Sequence, residues 1–366
     1  MQGLMQDWPL LVHTILDHAR NWHGSQEIVS RTVEGPIHRC TYIDLDRRAR
    51  QIGSAAQSEL KIGKGDVIAT MAWNGYRHME IWYGLMSIGA VVHTLNPRLF
   101  TEQLTYIVNH AEDQWVFLDL TFVPILEGVK DQLPNVKGYV IMTDRAHMPA
   151  ETSLPNVVCY EELIGKGDAG FQWPQLDENT ACGMCYTSGT TGNPKGVLYS
   201  HRSNVLHAMA SGGGDALSIS SRETIMPVVP MFHANAWSMV FSAPMAGARM
   251  VMPGAQMDGA SIYELLDGEK VSLTLAVPTV WLMLLQFLEK NRDLKLDALK
   301  NVVIGGAACP EAMMRAFEDD YDTNVVHAWG MTEMSPLGSL GTLKGGLETM
   351  DADAWWQTKL KQGRPA

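Results

Sequence analysis

One stretch carries most of the chemistry on offer: Thr187-Ser188-Gly189-Thr190-Thr191-Gly192-Asn193-Pro194-Lys195-Gly196. Glycines let a backbone approach an anion closely and adopt positive φ. Successive amide groups in such a turn form an anion-binding concavity. The hydroxyls of Thr187, Ser188, Thr190 and Thr191 add donors, and Lys195 adds charge. The chemistry this suits is the holding of a polyphosphate. The spacing is not that of a Walker A loop, which requires G-x-x-x-x-G-K-[ST]. A generic Gly/Ser/Thr segment is more often a plain surface turn, and composition alone leaves both readings open.

The elements that must position such a loop alternate. LLVHTILDHARNW (10–22) has helical spacing, and GDVIATMAW (65–73) reads as a turn into a strand. Residues 77–95 read as a helix with a wide apolar face, closed by Gly89 and followed by a strand; residues 101–119 repeat the pattern from a helix start at Thr101. The rhythm resumes from 181, where ACGMCYTS is a strand and SHRSNVLHAMASG a helix. KVSLTLAVP then feeds the helix TVWLMLLQFLEKN, and NVVIGGAA and NVVHAWGMTE are strands ending in glycine-rich or polar residues. Alternation of this kind predicts an α/β fold with parallel sheets covered by helices. Ligands in such folds bind beyond the carboxyl ends of the strands. Residues 144–180, with several Pro, Gly and acidic residues, are the candidate for a subdomain junction or an irregular surface stretch.

Composition sets outer limits. The chain has 366 residues, 46% hydrophobic and 19% charged, so a well-buried globular protein is expected. A net charge of -12 supplies no basic excess for nucleic-acid binding. Five scattered cysteines do not form a disulfide framework, and a reducing, cytoplasmic setting fits them better. Cys182 and Cys185 make a C-x-x-C, but residues i and i+3 of a strand point to opposite faces, and no second Cys/His pair accompanies them. The pair that is missing is one at zinc spacing, so they read as buried thiols. The first residues show no basic-then-apolar leader pattern. The stretch 273–289 is too short and interrupted to span a membrane.

The ten-residue string resembles the signature loop of the adenylate-forming superfamily, which comprises acyl- and aryl-CoA synthetases, luciferases and peptide-synthetase adenylation domains. Three further stretches resemble family motifs in the right order. Pro230-Met231-Phe232-His233-Ala234-Asn235-Ala236-Trp237 is similar to the motif beside the acyl pocket. Gly305-Gly306-Ala307-Ala308 is similar to the adenine-binding turn, and Trp329-Gly330-Met331-Thr332-Glu333 to the aromatic-Gly-x-Thr-Glu motif. EIVSR (27–31), HTLNPRLF (93–100), VPMFHANAW (229–237) and HAWGMTEMSPLG (327–338) further resemble medium-chain fatty-acyl-CoA synthetases and 3-methylmercaptopropionyl-CoA ligases.

The resemblance implies a large N-terminal AMP-binding domain over 1–366, with two doubly wound sheets and a smaller β-barrel-like subdomain. It implies ATP and Mg²⁺, with CoA as co-substrate, and an acyl-adenylate intermediate. Thr187, Ser188, Gly189, Thr190, Thr191, Gly192 and Lys195 would hold the phosphates. Gly306, Ala307 and Ala308 lack bulk, so their backbone could lie against adenine, with Trp329 stacked on it and Gly330, Met331 and Thr332 alongside. Glu333 would hold Mg²⁺, and Thr187 and Thr332 would give hydroxyls to the phosphates. His233, Trp237 and Gly305 would line the acyl side, so the catalytic set is Thr187, Glu333 and His233. An Asp stands at the His233 position in amino-acid-activating relatives, so an amino-acid substrate is disfavoured. Trp237 and the 22 methionines suit an aliphatic or thioether acid, although methionine is also ordinary core filler.

Family members run longer. Gly363-Arg364-Pro365 resembles the start of the segment leading to a ribose-binding Asp, a hinge and a small C-terminal domain that supplies a lysine. The resemblance therefore implies a truncated form that binds nucleotide weakly and catalyses poorly. It leaves open a carrier-protein-loading adenylation domain, an inert nucleotide-binding remnant, and a homodimeric state.

Overall fold

A computed structural model describes residues 1, 3–187, 193–346 and 349–365. The apolar runs become two sheets. The first has seven strands in the order Val157–Cys159, Gly138–Ile141, Trp115–Leu118, Val67–Met71, Val91–Thr94, Ala181–Thr187, Lys195–Ser200. All are parallel except the last, which folds back antiparallel on Ala181–Thr187. The second has nine, in the order Arg364–Pro365, Leu337–Leu340, Asn324–Gly330, Asn301–Ile304, Leu273–Ala276, Thr224–Pro227, Arg249–Met252, Glu27–Arg31, Ile37–Thr41. Its six central strands are parallel, and antiparallel strands finish both edges.

The expected alternation is therefore present, with two mixed sheets in place of purely parallel ones. The anticipated barrel is not: among the described residues every strand belongs to one of these two sheets. The last two strands, Leu337–Leu340 and Arg364–Pro365, extend one edge of the nine-stranded sheet. The stretch 144–180 contributes the edge strand Val157–Cys159 and the helix Tyr160–Ile164, and from Gly165 to Thr180 it has no regular structure.

Helix Tyr76–Ser87 explains how the sheets join. It is buried along nearly its whole length because it packs against Glu27–Arg31 of one sheet and Val91–Thr94 and Ala181–Thr187 of the other. A helix apolar on most faces belongs in a core. Helix Tyr42–Ser58, started by a Thr41/Asp44 capping box, crosses it where both chains are small. A methyl on Gly84 would lie 2.8 Å from the Ala49 carbonyl, and one on Gly53 3.1 Å from the Gly84 carbonyl. Glu80 is the fully buried carboxylate of this helix. Arg48 donates to both its oxygens at 2.5 and 3.1 Å and Tyr160 adds a hydroxyl at 2.7 Å, which answers the cost of burying a charge. The stretch 273–289 splits into strand Leu273–Ala276 and helix Pro278–Lys290. Among the described residues no helix is long and apolar enough to cross a membrane.

Candidate active site

Three parallel strands of the nine-stranded sheet deliver the site from their carboxyl ends. Thr224–Pro227 runs on towards Trp237, Asn301–Ile304 runs into Gly305 and Gly306, and Asn324–Gly330 ends with Trp329.

The first connection is held by side chains from the other sheet. Asn74, just past strand Val67–Met71, is 1% exposed. Its Nδ2 donates to the carbonyls of Pro227 and Val229, both at 2.8 Å, and its Oδ1 accepts the Met231 amide at 2.7 Å. The Thr94 hydroxyl donates to the Phe232 carbonyl at 3.2 Å. The chain then makes a left-handed turn, with φ of 46°, 60°, 49°, 52° and 69° at Ala234, Asn235, Ala236, Trp237 and Ser238. None of these is glycine, and each except Asn235 costs about 1–2 kcal/mol in this region. Asn235 is gripped from below. Its Nδ2 donates to Asn204 Oδ1 at 3.3 Å, Asn204 Nδ2 reaches Cys182 Sγ at 3.3 Å, and the Cys185 thiol lies 3.7 Å from Asn235 Oδ1. Both thiols thus meet the same asparagine pair, contrary to the expected opposite faces. A register shift between Ala181 and Gly183 brings Cys182 round. All five cysteines are free and buried, Cys182 and Cys185 among them. Burial pushes the Cys182 thiol up to about 12.

The turn seats Trp237 against the second connection. A methyl on Gly305 would lie 3.0 Å from Trp237 Cη2 and 2.9 Å from the Ala328 carbonyl, so only glycine lets the three segments close up. Gly306 has φ +78°, open to glycine without strain. The result is a cleft of about 380 Å³ lined by His233, Ala234, Trp237, Gly305, Gly306, Ala328, Trp329, Gly330, Met331, Thr332, Pro336 and Leu337. Trp329 is 45% exposed at its rim, so it is not a core tryptophan. His233 opens to solvent at the mouth, yet desolvation by the packing around it lowers its pKa.

Of the residues expected in the site, the cleft gathers His233, Trp237, Gly305, Gly306, Trp329, Gly330, Met331 and Thr332. Ala307 and Ala308 continue exposed from the same turn, and Glu333 is exposed on the turn Thr332–Met334. Thr187 and Lys195 face each other across the hairpin, the Thr187 hydroxyl 3.5 Å from the Lys195 carbonyl. Ser188, Gly189, Thr190, Thr191 and Gly192 lie outside the described residues. No three His, Cys, Asp or Glu side chains form a metal cage among the described residues. Mg²⁺ needs none: it takes one or two carboxylates and completes its shell with phosphate oxygens and water. The single exposed Glu333 fits that donor set.

Sequence reasoning missed Asn74, Thr94, Asn204, Ala328, Pro336 and Leu337. Asn74 stands in an Asn-Gly pair, a turn signal, but nothing local says that its partners lie more than 150 residues away.

Residues 16–366 match the model of the family described as AMP-binding enzyme. The chain is 46% identical over 365 residues to a medium-chain-fatty-acid–CoA ligase of Ectopseudomonas oleovorans, covering 100% of this chain and 66% of that protein. It is also 46% identical over 365 residues to a 3-methylmercaptopropionyl-CoA ligase of Ruegeria lacuscaerulensis, covering 100% and 67%. The chain thus spans about two thirds of the length of these relatives. The fold matches the crystal structure of the anthranilate CoA ligase AuaEII in complex with anthranoyl-AMP at TM-score 0.83 and 19% identity, over 99% of this chain and 66% of that one. A long-chain-fatty-acid-CoA ligase from Archaeoglobus fulgidus gives TM-score 0.83 at 19% identity, over 100% and 71%.

Proposed function

Because the chain belongs to the AMP-binding enzyme family, we propose that the whole protein is an ATP-dependent acid–thiol ligase, of which this chain is the N-terminal nucleotide- and acid-binding domain. The substrate is a short- or medium-chain fatty acid or a methylthio acid. A carboxylate oxygen attacks the α-phosphorus of ATP, pyrophosphate leaves, and an acyl-adenylate forms. The CoA thiolate then displaces AMP and takes the acyl group.

The observation that carries this is the single cleft shared by the acyl-side residues His233 and Trp237, the Gly305–Gly306 turn and the Trp329–Thr332 segment. A transfer between two substrates requires both to be held in line, and these segments come from three separate strands. Trp329 and the small residues Gly306, Ala307 and Ala308 frame adenine. Thr187, Lys195 and residues 188–192 hold the phosphates, with the Thr332 hydroxyl beside them. Mg²⁺ bound at Glu333 would supply charge neutralisation on those phosphates. His233, standing where amino-acid-activating relatives have an Asp, offers no carboxylate to an amino group, which favours an acid without one. Free buried thiols suit a cytoplasmic enzyme.

The test is ATP–pyrophosphate exchange by the whole protein with acids from propionate to decanoate and 3-methylmercaptopropionate. Stimulation by at least one acid is expected, with acyl-CoA formed when free CoA is added. Glu333→Ala should lower exchange by roughly 100-fold, the scale of one lost electrostatic contact in a transition state, with the fold intact by circular dichroism. Absence of exchange with every acid defeats the proposal. Exchange without transfer to free CoA would move the acceptor to a carrier protein.

A further inference from the structure

The segment bearing Glu333 is a closed turn: the Met331 amide donates to the Pro336 carbonyl at 3.0 Å, and Met334 to the Met331 carbonyl at 2.9 Å. Two side chains hold this turn at its two ends. The Tyr199 hydroxyl donates to the Thr332 carbonyl at 2.6 Å. The Leu337 amide donates to His207 Nε2 at 3.0 Å. Tyr199 lies on strand Lys195–Ser200 and His207 on helix His201–Gly212, the two elements that immediately follow the phosphate-loop string. The Glu333 turn connects two neighbouring strands of the nine-stranded sheet, so both bonds reach it from a strand of the other sheet and the helix that follows that strand.

Each side chain is committed to its bond. Tyr199 is 2% exposed, and a buried phenol requires a partner. Burial, with the Cys185 thiol and the Glu333 carboxylate adding to it, holds that phenol well above its usual range, so it remains a donor. His207 is pushed down to about 4 by burial and is neutral. Its Nε2 accepts, so its proton sits on Nδ1, which is buried and has no partner among the described residues. A ring that leaves one nitrogen unsatisfied in order to accept at the other is costly, and a plain packing role would not require it.

Resting on the ligase reading above, we infer that Tyr199 and His207 are positioning residues: they clamp the Glu333 turn to the hairpin that flanks residues 188–192, fixing the metal-binding carboxylate relative to the triphosphate. They touch neither substrate nor metal. Their effect passes through the backbone of Thr332 and Leu337.

The test uses ATP and Mg²⁺ on the whole protein, with bound nucleotide followed by calorimetry as Mg²⁺ is added, and again in EDTA. Tyr199→Phe keeps the ring and removes the bond. It should need about fivefold more Mg²⁺ for half-maximal tightening of ATP, the factor corresponding to one hydrogen bond of about 1 kcal/mol. Its metal-free ATP affinity should not change. His207→Leu should behave alike, whereas His207→Gln, whose amide oxygen can accept from Leu337, should restore the wild-type titration. Variants that titrate like wild type, or that lose metal-free affinity to the same degree, overturn the clamp. Wild-type protein that binds ATP without any Mg²⁺ response also overturns it, leaving the ligase reading to the exchange assay. Wild-type protein that binds no ATP at all overturns the ligase reading itself.

Discussion

Replacing Asn74 by alanine should cost far more than its size suggests. The side chain makes three hydrogen bonds of 2.7–2.8 Å to the backbone of Pro227, Val229 and Met231. Its surroundings are dry: Val228 and Val229 are each 2% exposed and Met231 is 0%. A hydrogen bond contributes about 1 kcal/mol net, and a group left unsatisfied in a dry site costs about 1–3 kcal/mol. Three bonds therefore set a floor of about 3 kcal/mol, and incomplete rehydration raises it to about 5 kcal/mol. Urea unfolding followed by tryptophan fluorescence measures the total. Amide exchange at Met231 measures the local part, since that N–H loses its acceptor and should exchange orders of magnitude faster. Asn74→Asp provides a control: it keeps the acceptor for Met231 but turns a carboxylate towards two carbonyls, so it should be no better than alanine. If Asn74→Ala shifts the unfolding free energy by less than about 1 kcal/mol and leaves the Met231 amide protected, the pinning argument is wrong.

His78 is fully buried between the Trp73 carbonyl, 3.1 Å from Nδ1, and the Thr70 hydroxyl, 3.0 Å from Nε2, and burial pushes it down to about 4. The unfolded chain binds this proton more readily than the folded one between about pH 6.5 and pH 4, so stability from this group falls as pH drops through that window. The wild type should lose about 2 kcal/mol more than His78→Gln on going from pH 7 to pH 5, read as the difference in urea midpoints; parallel pH profiles would count against it. Gly305→Ala places a methyl 2.9 Å from the Ala328 carbonyl and 3.0 Å from Trp237. It should destabilise by about 1–3 kcal/mol and shift tryptophan emission as Trp237 is displaced, and an unchanged spectrum and melting curve would show the cleft wall to be softer than argued.

What was legible in the sequence divides by range. The helix Tyr76–Ser87 and strand Val91–Thr94 could be read because apolar spacing and Gly89 are local signals. The motifs could be read because their residue strings are contiguous. The edge strands Ile37–Thr41, Leu337–Leu340 and Arg364–Pro365 were not read, since short antiparallel edges carry weak patterns and the strand they join lies elsewhere in the chain. The opposite-face reading of Cys182 and Cys185 failed on a bulge, which breaks the two-residue period on which it relied.

The left-handed turn at 234–238 shows why the site itself is hardest to foresee. Its residues are Ala, Asn, Ala, Trp and Ser, all ordinary in right-handed structure, and only Asn is at ease with positive φ. Summed over the four residues other than Asn the local penalty is on the order of 4–8 kcal/mol. No local reading would choose it. It persists because distant groups over-determine it: Asn74 fixes Met231, Thr94 fixes Phe232, and Asn204 holds Asn235. In return Trp237 meets the Gly305 turn, which a right-handed continuation would not deliver. Here a conflict between local preference and global arrangement is answered by buried polar bonds from outside the turn, a pattern that marks this cleft as a candidate site. The anchors of the cleft are therefore the asparagines beneath it as much as the motif residues that line it.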